Sequence, residues 1–589
     1  MAATTPPPLQ GPTSKEKKYD RQLRLWAASG QQALEDAHIL LLNSGPGVTG
    51  IETLKNLVLP GIGQFTIQDS AVVTESDLGV NFFLEEEHLG GFRAQHTCDS
   101  LKELNPDVQG HFITEACNHA LHAVATADKL QPIESFINKP SALDPYTLII
   151  VAAPVRPSIL EQISLHASKT QTPTFYLHCV GFYAHFSIHL PPAFPIVDTH
   201  PPAESTTDLR LLAPWPELLE LVAAQTNNLE AMNNEDHGHV PYVLLLLHYL
   251  EEWKKSHDGK VPQNYKEKTE FRSLVSNAIR TNIPEGGEEN FDEAVAAVLK
   301  SLNPPQPSSA VREVFDAGEC QNLAANSANF WLVAHAISLF YKKYGVLPLP
   351  GSVPDMKAKS ADYIKLQNVY KAKARADLAE VTDTVRGLEK ELVRTPVSVP
   401  NQEIEAFCKN ASHIKLVRGR PFHVVQGGEG TITWGDRAKS LAGFGGLQNL
   451  DSLFLLHVAF LAWDKFVGSH EVDGLLGAPR VPGVNDEEID ADVEKVYGIA
   501  KTIMDGLLQE AGTFIEDEAE YNELKETARQ YIAELTRAGG VELHNIAALA
   551  GGMVSQEVIK VVTKQYIPVD NTCVFDGVRS KSGVIRSGN

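Results

Sequence analysis

None of the six cysteines (Cys98, Cys117, Cys179, Cys320, Cys408 and Cys573) stands in a CxxC pair. Metal-ligand spacing and the regular spacing of a disulfide framework are both missing. The cysteines therefore read as reduced core or surface thiols, and no metal site is expected. Positive charge is scarce too: 51 lysines and arginines face 74 aspartates and glutamates, a formal net charge of −23. Such a surface repels phosphates, so binding to nucleic acid or an anionic membrane is not expected. No apolar run approaches the roughly 18–20 residues that span a bilayer. The longest candidate, Tyr242–Leu250, contains His248 and reads as a buried helix. The opening MAATTPPPLQGPTSKEKK has no apolar core of the kind a secretory signal carries. Residues 1–14 are expected to form a disordered tail, and the protein to reside in the cytoplasm or nucleus.

What is present is an ordinary globular composition, 43% hydrophobic and 21% charged over 589 residues. That length is enough for about two to four domains. Residues 15–30 read as an amphipathic helix. The apolar run His38–Asn43 is a buried strand leading into glycines, Glu52–Leu59 a helix closed by Pro60-Gly61, and Gln64–Asp69 a second strand. Thr147–Ala153, Thr174–Cys179 and Ala184–Leu190 add strands, the last with alternating character, and Ser158–Lys169 a helix. Strand and helix in alternation point to an α/β doubly wound sheet. The proline-rich stretch Pro191–Glu204 reads as a linker, after which the chain is mainly helical. Leu366, Tyr370, Ala374, Leu378, Val381, Val385, Leu388 and Leu392 form one apolar stripe on a long helix. Such a stripe serves either packing within its own domain or a partner-facing groove. Val424–Leu450 is glycine-rich and reads as a loop or ribbon. The helix His544–Lys564 and the strand Thr572–Asp576 return to the α/β pattern. The expected division is an α/β domain of residues 15–195 and 535–589, with a helical insertion at 205–530.

Gly45, Gly47 and Gly50 form a GxGxxG between strand and helix, where backbone amides approach a phosphate at a helix N-terminus. Asp69 ends the next strand, where an acid commonly holds a ribose hydroxyl. Alone, this motif fits a dehydrogenase, an adenylating enzyme or a purely structural turn.

Its surroundings narrow the choice. Glu52–Ile67 (ETLKNLVLPGIGQFTI) and SQEVIK at 555–560 resemble the adenylation domains of the ubiquitin-activating enzyme superfamily, and YDRQLRLW at 19–26 resembles its inactive halves. In the helical region, PQNYKEKTEFR (262–272), PGSVPDM (350–356) and YIKLQNVYKAKA (363–374) resemble the regulatory subunits of its neddylation branch. The resemblance covers residues 15–380 and 540–575 well and 395–530 more loosely, with extra residues around Gly427–Gly446. It implies a degenerate ThiF/MoeB-like Rossmann-type adenylation fold. The insertion would be like a catalytic-cysteine domain without its cysteine.

The resemblance also implies what an active site should hold, and the chain departs from it. The strand Thr147–Ala153 is followed by Pro154-Val155-Arg156 instead of the magnesium-binding Asp, and the nearest acid is Glu161 on the next helix. Asn81 is followed by Phe82 and Phe83, not by the phosphate-contacting Arg, and Arg93 stands in place of a Lys. Pro46 and Val48 replace small residues, and Pro46 has no amide proton to donate. Gly45, Gly47, Gly50 and Asp69 are therefore expected to be a non-functional remnant, with no cofactor on this chain and with ATP and magnesium at the partner's site. Arg21 of YDRQLRLW is expected to reach in trans into that site, where an arginine finger is worth roughly a thousandfold or more; the plainer alternative is that Arg21 and Arg24 form surface salt bridges. No cysteine has the proline–threonine context of the superfamily's thioester residue. His178 and Cys179 are adjacent on a strand and point to opposite faces. The expected partners are the catalytic subunit of the neddylation-activating enzyme, in a heterodimer, and the ubiquitin-like modifier. Tyr363, Leu366 and Tyr370 are offered as contacts with the catalytic subunit, because Pro354–Lys373 mixes apolar and basic residues in an acidic chain. Alternative readings are a self-sufficient ThiF/MoeB-type adenylating enzyme, the non-catalytic subunit of the SUMO-activating enzyme and a nicotinamide-dependent dehydrogenase.

Overall fold

The computed structural model describes residues 11–43, 45–114, 132–202, 205–281, 287–304, 306–394, 398–422, 432–469 and 480–587. Residues 1–10 of the expected tail, Cys117 and residues 424–431 of the glycine-rich stretch lie outside that set. The chain divides into two compact units, one of residues 1–194 and 417–589, the other Pro195–Leu416.

The first unit is built on β1 (His38–Asn43), β2 (Gln64–Gln68), β3 (Gln109–Ile113), β4 (Leu148–Ala152), β5 (Thr174–Val180), β6 (Tyr183–His189), β9 (Thr572–Asp576) and β10 (Lys581–Ile585). Two further strands, β7 (Phe194–Val197) and β8 (Ile414–Val417), pair separately. The large sheet runs β10-β9-β6-β5-β4-β1-β2-β3. β1 to β5 are parallel, while β6, β9 and β10 join antiparallel. The central strands are continuous apolar runs because both faces are covered. One face carries the Pro157–Thr170 helix, whose Ile159, Leu160 and Ile163 pack with Leu40, Leu42 and Val151. On the other face the helices Thr49–Val58 and His544–Thr563 lie so close that a Cβ on Gly551 would sit 2.7 Å from the Glu52 Cβ. The His544–Thr563 helix is long and apolar enough to cross a bilayer, but here most of it is buried inside this unit.

Two expectations need correction. The alternation read in Ala184–Leu190 does not mark a half-exposed strand, since every residue of β6 is buried. The cover comes from residues placed in the helical insertion: the Phe454–Ser469 helix lies over the sheet. His457 Nδ1 stands 3.1 Å from His185 Nε2, and the Tyr176 hydroxyl donates to Asp464 at 2.9 Å. Val180, Tyr183 and Val574 share a core with this helix and with Ile489–Ala511 and Glu518–Arg537. Residues 417–530 therefore belong to the sheet-bearing unit, and the separate helical unit ends at Leu416 instead of 530.

The helical unit has two cores joined by the helix Ser360–Glu391. The run Leu244–Leu247 is buried all round on the Tyr242–Ser256 helix, as read from its length. Leu366 and Tyr370 lie in the first core, Val381 and Val385 in the second. Between them the buried Asp377 accepts from the Leu349 amide at 3.0 Å and the Lys373 ammonium at 2.6 Å. The proposed contacts with a partner are thus corrected. Leu366 and Tyr370 are fully buried, the Tyr370 hydroxyl donates to the Leu209 carbonyl at 2.6 Å, and the Tyr370 ring meets Trp215 edge-on. Tyr363 packs against the same core and donates to the Pro354 carbonyl at 3.2 Å. The apolar stripe serves its own unit.

Two outcomes follow from this packing. Leu366→Ala should cost about 2–5 kcal/mol of folding stability, the usual penalty for a buried leucine, seen as a lower denaturant midpoint. The buried histidines set a pH slope. Burial, with His178 adding for His185, pushes His185 down to about 3, and burial pushes His189 down to about 4. Below an unfolded value of about 6.5 the unfolded chain binds protons that the folded chain refuses. Stability should therefore be complete above that pH and fall as pH drops toward 4. Thermal melts between pH 7 and 5 check this, and the slope should be shallower in His185→Phe.

Candidate functional site

Between β1 and β4 the strand order reverses, with Asn43 beside Ala152 at their carboxyl ends. Open α/β sheets place ligands in that crevice. The glycine turn lies there, and each of its glycines is required by the protein's own atoms. A Cβ on Gly45 would stand 2.6 Å from Pro154 Cδ, one on Gly47 2.4 Å from Glu542 Oε1, and one on Gly50 2.6 Å from Leu41 Cδ1.

Glu542 was not singled out from sequence, and it is the residue that fills the turn. Its Oε2 accepts from the Val48 amide at 2.7 Å, the Thr49 amide at 2.8 Å and the Thr49 hydroxyl at 2.9 Å. The amides at the start of the Thr49–Val58 helix thus point at a carboxylate of the chain itself. Burial pushes the Glu542 pKa up, and the three donors pull it back. The residue enters on a left-handed pair, Gly539 and Gly540 (φ +58° and +77°), and is held by a bridge to Gly181. Its only local signal was that paired glycine before an apolar helix. Cys179 lies nearby, and burial followed by the Glu542 charge raises its thiol well above the usual range. As expected from strand geometry, Cys179 packs with Ile546 and Ala550 while His178 faces Trp463 and Asp464.

Asp69 is likewise committed. Arg93 Nε donates to Asp69 Oδ2 at 2.7 Å, Nη1 to Asp77 Oδ1 at 2.8 Å and Nη2 to the Gly45 carbonyl at 2.7 Å. Asn43 and the Ala71 amide take further lone pairs of Asp69. Burial alone would raise Asp77, but the Thr74 donors and the Arg93 guanidinium outweigh it and hold its pKa below the usual range. Arg156 is buried where the magnesium carboxylate was sought, and Glu161 sits on the Pro157–Thr170 helix. Phe82 lies on the His544 ring at 3.7 Å. These residues do not fit a magnesium–nucleotide complex: the Val48 and Thr49 amides are engaged, Asp69 is paired with Arg93, and no carboxylate stands in Pro154-Val155-Arg156 after β4.

Arg21 is built differently. It lies on the first turns of the Asp20–Glu35 helix, exposed, with no hydrogen bond or ion pair among the described residues. Arg24 does pair with Asp20, at 3.0 Å. The backbone under Arg21 is pinned at both ends. Tyr19 is buried, its hydroxyl linked to Asn105 and Asp107 at 3.0 and 3.1 Å. Its ring end covers Gly61, where φ is +86° and a Cβ would lie 2.7 Å from the hydroxyl oxygen. The helix is broken at Trp26 and Ala27, and the Leu25 and Trp26 carbonyls near the break accept from Tyr566 and Gln565. The expected helix over 15–30 is therefore three pieces, Ser14–Lys18 and the two parts of Asp20–Glu35 on either side of this break.

Residues 19–586 match the ThiF family. The chain is similar along nearly its whole length to named proteins. The NEDD8-activating enzyme E1 regulatory subunit of Xenopus laevis is 36% identical over 577 residues, 97% of this chain and 98% of that protein. That of Danio rerio is 35% identical over 584 residues, 98% of this chain and 99% of that protein. The subunit AXL of Arabidopsis thaliana is 34% identical over 569 residues, 96% of this chain and 98% of that protein.

The Tyr19–Gly61 contact yields a direct test of how the arginine is held. Gly61→Ala forces a left-handed alanine and a clash with the buried hydroxyl, so it should cost at least about 1–2 kcal/mol in chemical denaturation. Tyr19→Phe should cost less, about 1 kcal/mol.

Proposed function

Because the chain belongs to the ThiF family and, within it, to the NEDD8-activating enzyme E1 regulatory subunits, we propose that it is the non-catalytic half of a heterodimeric activating enzyme. In this reading it pairs with a catalytic subunit and supports ATP-dependent adenylation of the C-terminus of a ubiquitin-like modifier. Thioester formation then falls to the partner's cysteine. The observation that carries the reading is a contrast on one unit: the chain's own glycine turn is filled by Glu542 and its acid by Arg93, while Arg21 is exposed and free of intramolecular partners among the described residues.

Arg21 supplies a fixed positive charge to the partner's nucleotide site, opposing the charge on the phosphates. Its pinned backbone limits the entropy lost when the side chain docks. ATP and magnesium belong to the partner's site in this scheme.

Modifier-dependent ATP–pyrophosphate exchange tests it, with this chain alone, the chain with its catalytic partner, and the pair carrying Arg21→Ala. Exchange should require the partner and fall roughly a thousandfold in the variant pair. Robust exchange by this chain alone would overturn the reading and favour a self-sufficient adenylating enzyme.

A further inference from the structure

We propose that Glu542 is a built-in occupant of the phosphate seat, a carboxylate latch that closes this chain's own glycine turn to phosphates. Two amides and a hydroxyl at the start of one helix converge on a single buried oxygen, within 2.7–2.9 Å. That is the arrangement by which helix N-termini hold phosphate oxygens. Gly47 belongs to the same seat, because any side chain there would strike the Glu542 carboxyl, 2.4 Å from the Cβ position. The glycine requirement that a nucleotide normally imposes is imposed here by residue 542.

A cation at the turn would be the other draw for an anion. Arg93, the cation beside it, is spent on Asp69, Asp77 and the Gly45 carbonyl. Removing the Glu542 carboxylate would strand the Val48 and Thr49 donors in a buried site, which an incoming oxyanion could satisfy. Phosphate binding and the seated Glu542 are mutually exclusive. The hinge-like pair Gly539-Gly540 ahead of Glu542 places the latch on the segment leading from the Glu518–Arg537 helix to the His544–Thr563 helix.

The inference deepens the reading of a closed nucleotide turn but does not depend on Arg21. Its test uses the full chain alone, so its failure leaves the exchange assay untouched. Thermal unfolding is followed with inorganic pyrophosphate against sodium chloride at matched ionic strength. The unaltered chain should show no pyrophosphate-specific rise in Tm. Glu542→Ala should melt several degrees lower and regain much of that loss with millimolar pyrophosphate. Gly47→Ala should be costly in the unaltered chain and nearly neutral in the Glu542→Ala background, the coupling expected if Glu542 occupies the space over Gly47. Glu542→Ala melting at the unaltered temperature, or folding without any response to pyrophosphate, would overturn the latch. Should Glu542→Ala fail to fold, Glu542→Gln decides: a partial loss of Tm supports the latch, and undiminished stability refutes it.

Discussion

A helix N-terminus inside a protein needs an acceptor, and a buried carboxylate needs donors. At the centre of this sheet each is the other's solution. The Thr49–Val58 helix begins with amides that no residue of its own turn can satisfy, and Glu542, 493 residues along from Thr49, supplies the oxygen. The contact joins the first strands of the sheet to the segment that completes it. Beyond Glu542 come the His544–Thr563 helix, packed against Thr49–Val58, and then β9 and β10, which extend the sheet past β6. A fold interrupted by more than two hundred residues, about two domains' worth of chain apart, is closed at the point where a nucleotide would otherwise sit.

The same economy of charge runs through the neighbouring groups. Arg93 bonds both Asp69 and Asp77 and still reaches the Gly45 carbonyl, so three buried groups share one guanidinium. Its planar fork makes that possible, and a lysine could not. On the far side of the motif the balance is reversed. Arg21 has been given a rigid base and no local counter-ion among the described residues. A closed turn and an open arginine on one unit suit a subunit whose chemistry is completed elsewhere.

Much of this was legible locally. The apolar runs marked β1, β2, β4 and β5 because strands covered on both faces need no alternation, and GxGxxG between the first strand and helix located the switch point. YDRQLRLW and PGIG could be read as motifs, although only their contact explains both: Tyr19 lies on Gly61, and Gly63 meets the Glu35 carbonyl. Edge strands were harder. β3 and β10 are mostly exposed and carry little apolar signal.

The sequence by itself determined the α/β class, the place of the glycine turn and the family resemblance, because each is carried by residue types at short spacing. Tertiary structure alone decided what covers an apolar face and what neutralises a charge. Periodicity showed that Leu366 and Tyr370 share one side of a helix, but only packing showed that this side is filled by Trp215 and the unit's own core. Residues 417–530 are as helical as the unit before them, yet they cover the sheet on the face that carries the Pro157–Thr170 helix. Glu542 and Thr49 are remote in sequence, and no local pattern relates a carboxylate to amides it meets only after folding. Electrostatic and hydrophobic partners are chosen by distance in space, which spacing along the chain does not encode.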